Sequence, residues 1–345
     1  MQSSGLHILF VSVSRYPDFY LSVTLKPSKM KKILVVTLLI PMIAFSQKKE
    51  SLMYFKTKDS LVGVKNSAGE VIVPAQFKIF SYLKNGQPVK EETIYFDGPK
   101  KDEVPEKNAW GYVYDRKGNF LYRPFFYDNG ADYFSEGVRR FVKNGKVGFA
   151  DRNGKIVIQP EHDFVSPFRY GYAAYCDGCD WEKTEEEHKA IVGGTWGVMN
   201  FKGETVQPVT QSAKTVKVNG KYYPYPFSYT AKEKQMLQFF EKQNKKLSDI
   251  YYVNYDDKLS GTDKKLSFEI VERPKENFPY YQVNAYDYWK TEAGLSGLIF
   301  LVSEDGKKVF ALDDDNEKIP FEKWLKNKRQ QAEKFQRDHP NKMVK

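Results

Sequence analysis

Residues 146–160 read KVGFADRNGKIVIQP. Val147 and Phe149 lie two apart, which places them on one face of a strand. The chain then runs into Asp151-Arg152-Asn153-Gly154. A second apolar segment follows and stops at Pro160. Glycine supplies the positive φ that a tight hairpin needs, and proline cannot donate to a ladder, so it ends the second strand. The stretch predicts a β-hairpin, and the fold turns on whether the chain repeats it.

Four segments can be laid on one another: LVGVKNSAGEVIVP (61–74), AWGYVYDRKGNFLYRP (109–124), KVGFADRNGKIVIQP (146–160) and TWGVMNFKGETVQP (195–208). Each carries an apolar residue followed by glycine: Val62-Gly63, Trp110-Gly111, Val147-Gly148 and Trp196-Gly197. The turn glycines are Gly69, Gly118, Gly154 and Gly203, and the closing prolines Pro74, Pro124, Pro160 and Pro208. The glycine of each apolar-Gly pair leaves one strand face bare, so that a neighbouring backbone can approach. After the proline comes an apolar residue, two positions, then glycine, at Leu83/Gly86, Phe134/Gly137 and Phe168/Gly171. An apolar third strand is expected after that. Asn144-Gly145 turns directly into the next unit, whereas 95–108 and 176–194 are insertions at the corresponding junctions. If the units stack, both insertions project from related edges.

These residues resemble the WG repeat family, over about 61–211. Two of the four units have Val in place of Trp. The resemblance implies a β-rich repeat array that binds or scaffolds, a setting among secreted and envelope proteins of bacteria, and no catalytic residues. Trp110 and Trp196 are expected to be packing residues, because buried Val62 and Val147 would take their place in the other units.

The 345 residues suit about two domains on a soft prior. Aromatics reach 16%, with 24 Tyr and 25 Phe, favouring pleated half-buried surfaces over a Tyr-lined binding face. The net charge is +10, but lysine is spread along the chain, which predicts a solvated surface and no nucleic-acid partner. From Met30, MKKILVVTLLIPMIAFS has the charged start, short apolar run and small residues of a secretory signal peptide ending at Ser46. Its apolar run falls short of the ~20 residues that span a bilayer. Residues 1–29 then read as a start-site artefact, and the mature chain is expected to begin at Gln47, outside the cytoplasm, with no transmembrane segment.

Cys176 and Cys179 are the two cysteines. In an oxidising compartment they are expected to pair. Redox exchange, zinc with His188 and one of Glu185 to Glu187, and free thiols are the alternatives. No nucleophile elbow, P-loop or HExxH occurs. No catalytic residue, metal or cofactor is expected.

Past 222–229, a Pro/Tyr linker in the segment 212–229, the period changes. Thr230 and Glu233 form a capping box, and Met236, Leu237, Phe240 and Leu247 make one helical face. Strands are expected at 249–256, 266–272, 280–288, 297–303 and 308–313, with a hairpin turn at Glu304-Asp305-Gly306. A closing basic helix then carries Phe321, Trp324, Leu325, Ala332 and Phe335 on one side. The fold expected is thus mainly β: a WG-type repeat array (47–211), then an α+β domain (230–345) with an antiparallel sheet and two helices. Its order of elements is similar to cystatin-like folds. The function expected is a non-enzymatic exported platform binding a protein or glycan; the rival is an envelope carbohydrate hydrolase with carboxylates in the C-terminal domain.

Overall fold

Four hairpins share one turn. Asn66, Asp115, Asp151 and Asn200 stand at its first position. In each, the side-chain oxygen Oδ1 accepts from the backbone N–H two residues on and again four residues on. The turn glycine donates to the carbonyl of that first residue. Gly69, Gly118, Gly154 and Gly203 all sit between φ 78° and 89°. This is a type I turn closed by a left-handed residue, with the Asx side chain standing in for a further backbone acceptor. The computed structural model in which these turns are seen describes residues 50–339 apart from 80–82, 105, 128, 184–188, 219, 255–264, 288–294 and 314–316. The signal-like stretch and residues 1–29 lie outside the described residues.

A second turn recurs between second and third strands. Glu136-Gly137 and Tyr170-Gly171 both take positive φ, 52° and 84° in one and 51° and 73° in the other. Ser135 and Val138 exchange both backbone bonds across the first, and Arg169 and Tyr172 across the second. These are two-residue hairpins of the primed type, whose twist matches the strands they join. Third strands then pair with the first strand of the next segment. Ile94–Phe96 pairs with Tyr112–Tyr114, Val138–Lys143 with Lys146–Asp151, and Tyr172–Lys183 with Lys189–Asn200.

Strand is the commonest element among the described residues, in six antiparallel sheets with two α-helices. The largest sheet has six strands and spans Ile94 to His162. Of the segment 176–194, expected as a loop, the described residues 176–183 and 189–194 are instead strand, paired within Tyr172–Lys183 against Lys189–Asn200. Its acidic composition hid the strand pairing. The segment 212–229, expected as a linker, holds a hairpin of Thr215–Val218 with Lys221–Pro224, whose Val216 and Tyr223 are buried.

Helix α1, Ala231–Tyr251, starts on the capping box: Thr230 accepts from the Glu233 N–H, and Glu233 accepts from the Thr230 N–H. It takes in the first three residues of the strand expected at 249–256, because Ile250 stays on the stripe of Leu247 and points to the core. Tyr252–Asn254 form a 3-10 turn, and 255–256 lie outside the described residues. Five strands follow in simple meander order: Ser267–Glu272, Tyr280–Tyr286, Leu295–Ser303, Val309–Leu312 and Lys318–Pro320. Helix α2, Phe321–Asp338, buries Phe321, Trp324 and Leu325, three positions of one turn. Phe268, Ile270, Val283, Ala285, Phe300 and Val302 face the two helices and form one dry core. Glu269, Gln282, Asn284 and Tyr286 alternate with them and point the other way, yet are 1–2% exposed. That polar face is covered by the repeat segments. No helix among the described residues is long and apolar enough to cross a membrane.

Candidate functional site

Both insertions end at one aromatic face. The first folds back on the preceding hairpin: Lys78 N–H donates to the Pro99 carbonyl at 2.9 Å and Lys101 N–H to the Gln76 carbonyl at 2.8 Å. Glu106 accepts from Gly145 N–H at 3.0 Å, and Lys107 approaches Asp180 of the second insertion at 3.9 Å. The two insertions therefore lie side by side. Between them runs the segment 125–127, each residue of which meets a different ring. Phe126 lies 5.3 Å from Trp110, Phe125 stacks on Trp181 at 6.2 Å, and Tyr127 meets Tyr133 edge-on at 5.7 Å. Phe164 carries the row on to Trp196 at 6.0 Å.

A buried ion pair holds this face from beneath. Arg140 and Asp132 are both almost wholly enclosed, and the guanidinium donates twice to the carboxylate, at 2.7 and 2.9 Å. A third bond goes to the Val165 carbonyl at 3.0 Å. The guanidinium plane lies 4.4 Å under Phe125 and 5.4 Å under Tyr127. With the charge paired and the planar group stacked, the rings above have a fixed base.

Beside Trp110 is an open cleft of about 360 Å³, floored by Gly111 and Arg123 and walled by Pro99, Asn108, Trp110 and Phe126. Trp110 is half-buried and Trp196 is 47% exposed, while Val62 and Val147 are 1% exposed. Val62 and Val147 fill cores and Trp110 packs on Phe126 while partly buried, whereas Trp196 departs from the expected packing role by reaching the surface. The glycines beside them behave as expected at the backbone level. A Cβ on Gly63 would sit 2.6 Å from the Val73 carbonyl oxygen, one on Gly148 2.5 Å from that of Ile158, and one on Gly111 would strike the Phe96 carbonyl. At Gly197 the neighbour is the Tyr175 ring instead. Gly137 abuts the Glu272 carboxyl and Gly171 abuts Pro226. Both hairpin glycines therefore face the C-terminal half of the chain.

Those contacts belong to a polar seam that no sequence motif announced. Glu136 accepts from Tyr170 N–H at 2.7 Å, from Gly171 N–H at 2.9 Å and from the Tyr286 hydroxyl. Burial pushes its carboxyl from the ordinary 4.5 up to about 7, against the pull of these three donors. Tyr225 and Tyr229 both donate to Glu269. Arg152 reaches Glu272 at 3.2 Å and Gln282 at 2.9 Å, and Gln282 donates to Asn284 at 2.9 Å. Burial, then the nearby carboxylates, raise the phenols of Tyr225, Tyr229 and Tyr286. Glu136, Glu269 and Glu272 are thus enclosed by the protein's own donors, where they bind the two halves of the chain together.

Cys176 and Cys179 form a disulfide on the strand Tyr172–Lys183. Cys176 stands opposite Trp196 and Cys179 opposite Gly193. His188 and Glu185 to Glu187 lie outside the described residues. His162 ends the strand Ile156–His162, stacked on Tyr175 at 4.2 Å and bonded to Asp177 at 2.9 Å.

Residues 148–178 match the family model described as WG containing repeat. The match runs from Gly148 through the hairpin glycine Gly171 to Gly178, the third of the four segments. No curated protein matches the chain. Among solved structures, a eukaryotic initiation factor is similar at 9% identity and a TM-score of 0.15, over 79% of this chain and 52% of its own. The chain spans about half the length of that protein, and a likeness of this size carries no argument about fold.

Proposed function

Starting from the WG containing repeat at residues 148–178, we propose that the protein is a non-enzymatic exported or envelope protein in which four stacked β-repeats present a binding platform to a protein or glycan partner. The observation that carries this reading is the meeting of both insertions at one ring-bearing face, underpinned by the Arg140–Asp132 pair. Loops set on a rigid scaffold are where binding residues concentrate, and half-exposed Trp and Tyr supply large contact area at low entropic cost. The signal-like segment 30–46 and the disulfide support the setting outside the cytoplasm.

The test is capture from envelope extract on immobilised mature protein, beside a Trp110→Ala/Trp196→Ala double variant. A macromolecule retained by the first and lost by the second, at equal melting temperature, supports the reading. Equal retention by both, or none by either, overturns it. N-terminal sequencing of the exported chain should begin near Gln47; recovery of residues 1–29 would overturn the setting.

A further inference from the structure

The cleft at Trp110 contains a cation with no counter-charge. Arg123 is 7% exposed. Its Nε donates to the Gly111 carbonyl at 3.2 Å, and its guanidinium lies 4.5 Å over the Tyr112 ring. Among the described residues the two terminal nitrogens donate to nothing, and no carboxylate lies within ion-pair distance. Glu103 accepts from the Tyr112 hydroxyl. Arg123 lines the cleft. A buried guanidinium without an acceptor is costly. Arg140, 1% exposed, meets a bidentate carboxylate. Arg139 also lacks an acid, but the rings of Tyr95, Tyr122 and Phe134 enclose it.

The repeats show that this cation is particular to one unit. The residue before the closing proline is Val73, Arg123, Gln159 or Gln207. Val73 is core, and both glutamines are exposed. In the second unit alone a tryptophan at the Trp-Gly position stands beside a buried cation. The walls are otherwise apolar, save Asn108. Its carbonyl accepts from Phe126 N–H, while its carboxamide makes no hydrogen bond among the described residues.

The geometry points to a specific occupant: the free C-terminal residue of a polypeptide whose last side chain is apolar. The carboxylate pairs with the two free nitrogens of Arg123, the side chain lies against Trp110 and Phe126, and the last amide meets the Asn108 carboxamide. Two parallel N–H bonds match a planar carboxylate. About 360 Å³ is the size of a small-ligand cleft and suits one such residue. A sugar acid would leave its hydroxyls facing Trp110, Pro99 and Phe126. This proposal deepens the platform reading and rests on it.

Calorimetric titration of the mature protein with four probes tests the assignment. The probes are N-acetyl-phenylalanine, its amide, glycylglycyl-phenylalanine and glucuronic acid. Expected is an acid bound about tenfold or more tighter than its amide, the gain of one charge-assisted pair, and the tripeptide tighter than the acetylated residue. Arg123→Gln should bring the acid down to the amide, and Trp110→Ala should weaken both. Equal binding of acid and amide, an acid preference that survives Arg123→Gln, or no binding at millimolar concentration overturns the proposal. Equal binding of tripeptide and acetylated residue, or preference for glucuronic acid, overturns the polypeptide terminus as occupant. If Arg123→Gln does not fold, the acid–amide contrast in the unaltered protein decides. Loss of this pocket leaves the platform reading to the capture experiment, where Trp196 contributes independently.

Discussion

Raising the pH from 5 to 8 should destabilise the protein through one carboxyl, Glu136. In the unfolded chain it titrates near 4.5; in the folded protein burial moves it to about 7. Below 4.5 both states hold the proton and the group contributes no pH dependence. Between 4.5 and 7 the unfolded chain sheds the proton while the folded state keeps it, so unfolding gains ground as pH rises. Above 7 both are ionised and the loss is complete. Moving from 4.5 to about 7, at about 1.4 kcal/mol per tenfold in proton affinity, is worth about 3 kcal/mol. At about 2 °C per kcal/mol for a chain of this size, that is about 6 °C in melting temperature. The lowered carboxyls of Asp163, Glu233 and Asp305 act with the opposite sign, but their window lies below 4.5. Glu136→Gln keeps the shape and removes the titration. The assay is thermal unfolding of both proteins at half-unit steps from pH 5 to 8. The offset between them is not the readout, since the Gln amide will oppose the Gly171 N–H; the change of that offset with pH is. A gap that stays constant across the range would refute a proton held at Glu136.

Gly148→Ala should cost several kcal/mol, since its Cβ would press on backbone at 2.5 and 2.7 Å. Gly69→Ala, with nothing within 4 Å, should lose only about 1 kcal/mol from its positive φ; denaturant titration separates the two. Val147→Ala should destabilise by about 2–3 kcal/mol and Trp196→Ala by under about 1 kcal/mol, the reverse of what residue size suggests, by the same assay. Arg140→Ala should cost about 3–5 kcal/mol by leaving Asp132 buried and unpaired. It should also loosen the rings of 125–127, visible as greater quenching of Trp fluorescence.

The turns were legible in the sequence because their physics is local. An Asx residue, two polar positions and a glycine close a hairpin whatever surrounds them, and Thr230 with Glu233 cap α1 by the same kind of short-range bond. Strand 267–272 alternates polar and apolar residues, and the strands at 295–303 and 309–312 are runs of consecutive apolar residues between turn signals. Three things were hidden. Charged residues between Cys176 and Gly194 masked strand pairing that the main-chain ladder supplies, with Trp181 packed on Phe125. Tyr251 and Tyr252 lent a strand-like look to the last turn of α1, where the i, i+3 spacing of Leu247 and Ile250 settles the matter. The seam joins Glu136 to Tyr286 across 150 residues, and no window on the sequence sees that far. The tryptophan position misled for a related reason. Equivalent places in a repeat share backbone geometry, but the insertions beside Trp110 and Trp196 change what covers them.

Because each third strand pairs with the first strand of the following segment, the repeat read along the chain and the hairpin seen in space are half a period out of phase. Asn144-Gly145, which looks like a boundary in the sequence, is the tip of a single six-residue-per-arm hairpin. A gene duplication that copies from one Trp-Gly pair to the next inserts three sheet strands and the turns between them, and then hands its last edge to the neighbour it displaced. Such growth never leaves an unpaired strand inside the chain. A crossover at Asn144 would split the hairpin of Val138–Lys143 with Lys146–Asp151 between two parents, and one at the Asp151 turn would split that of Lys146–Asp151 with Ile156–His162.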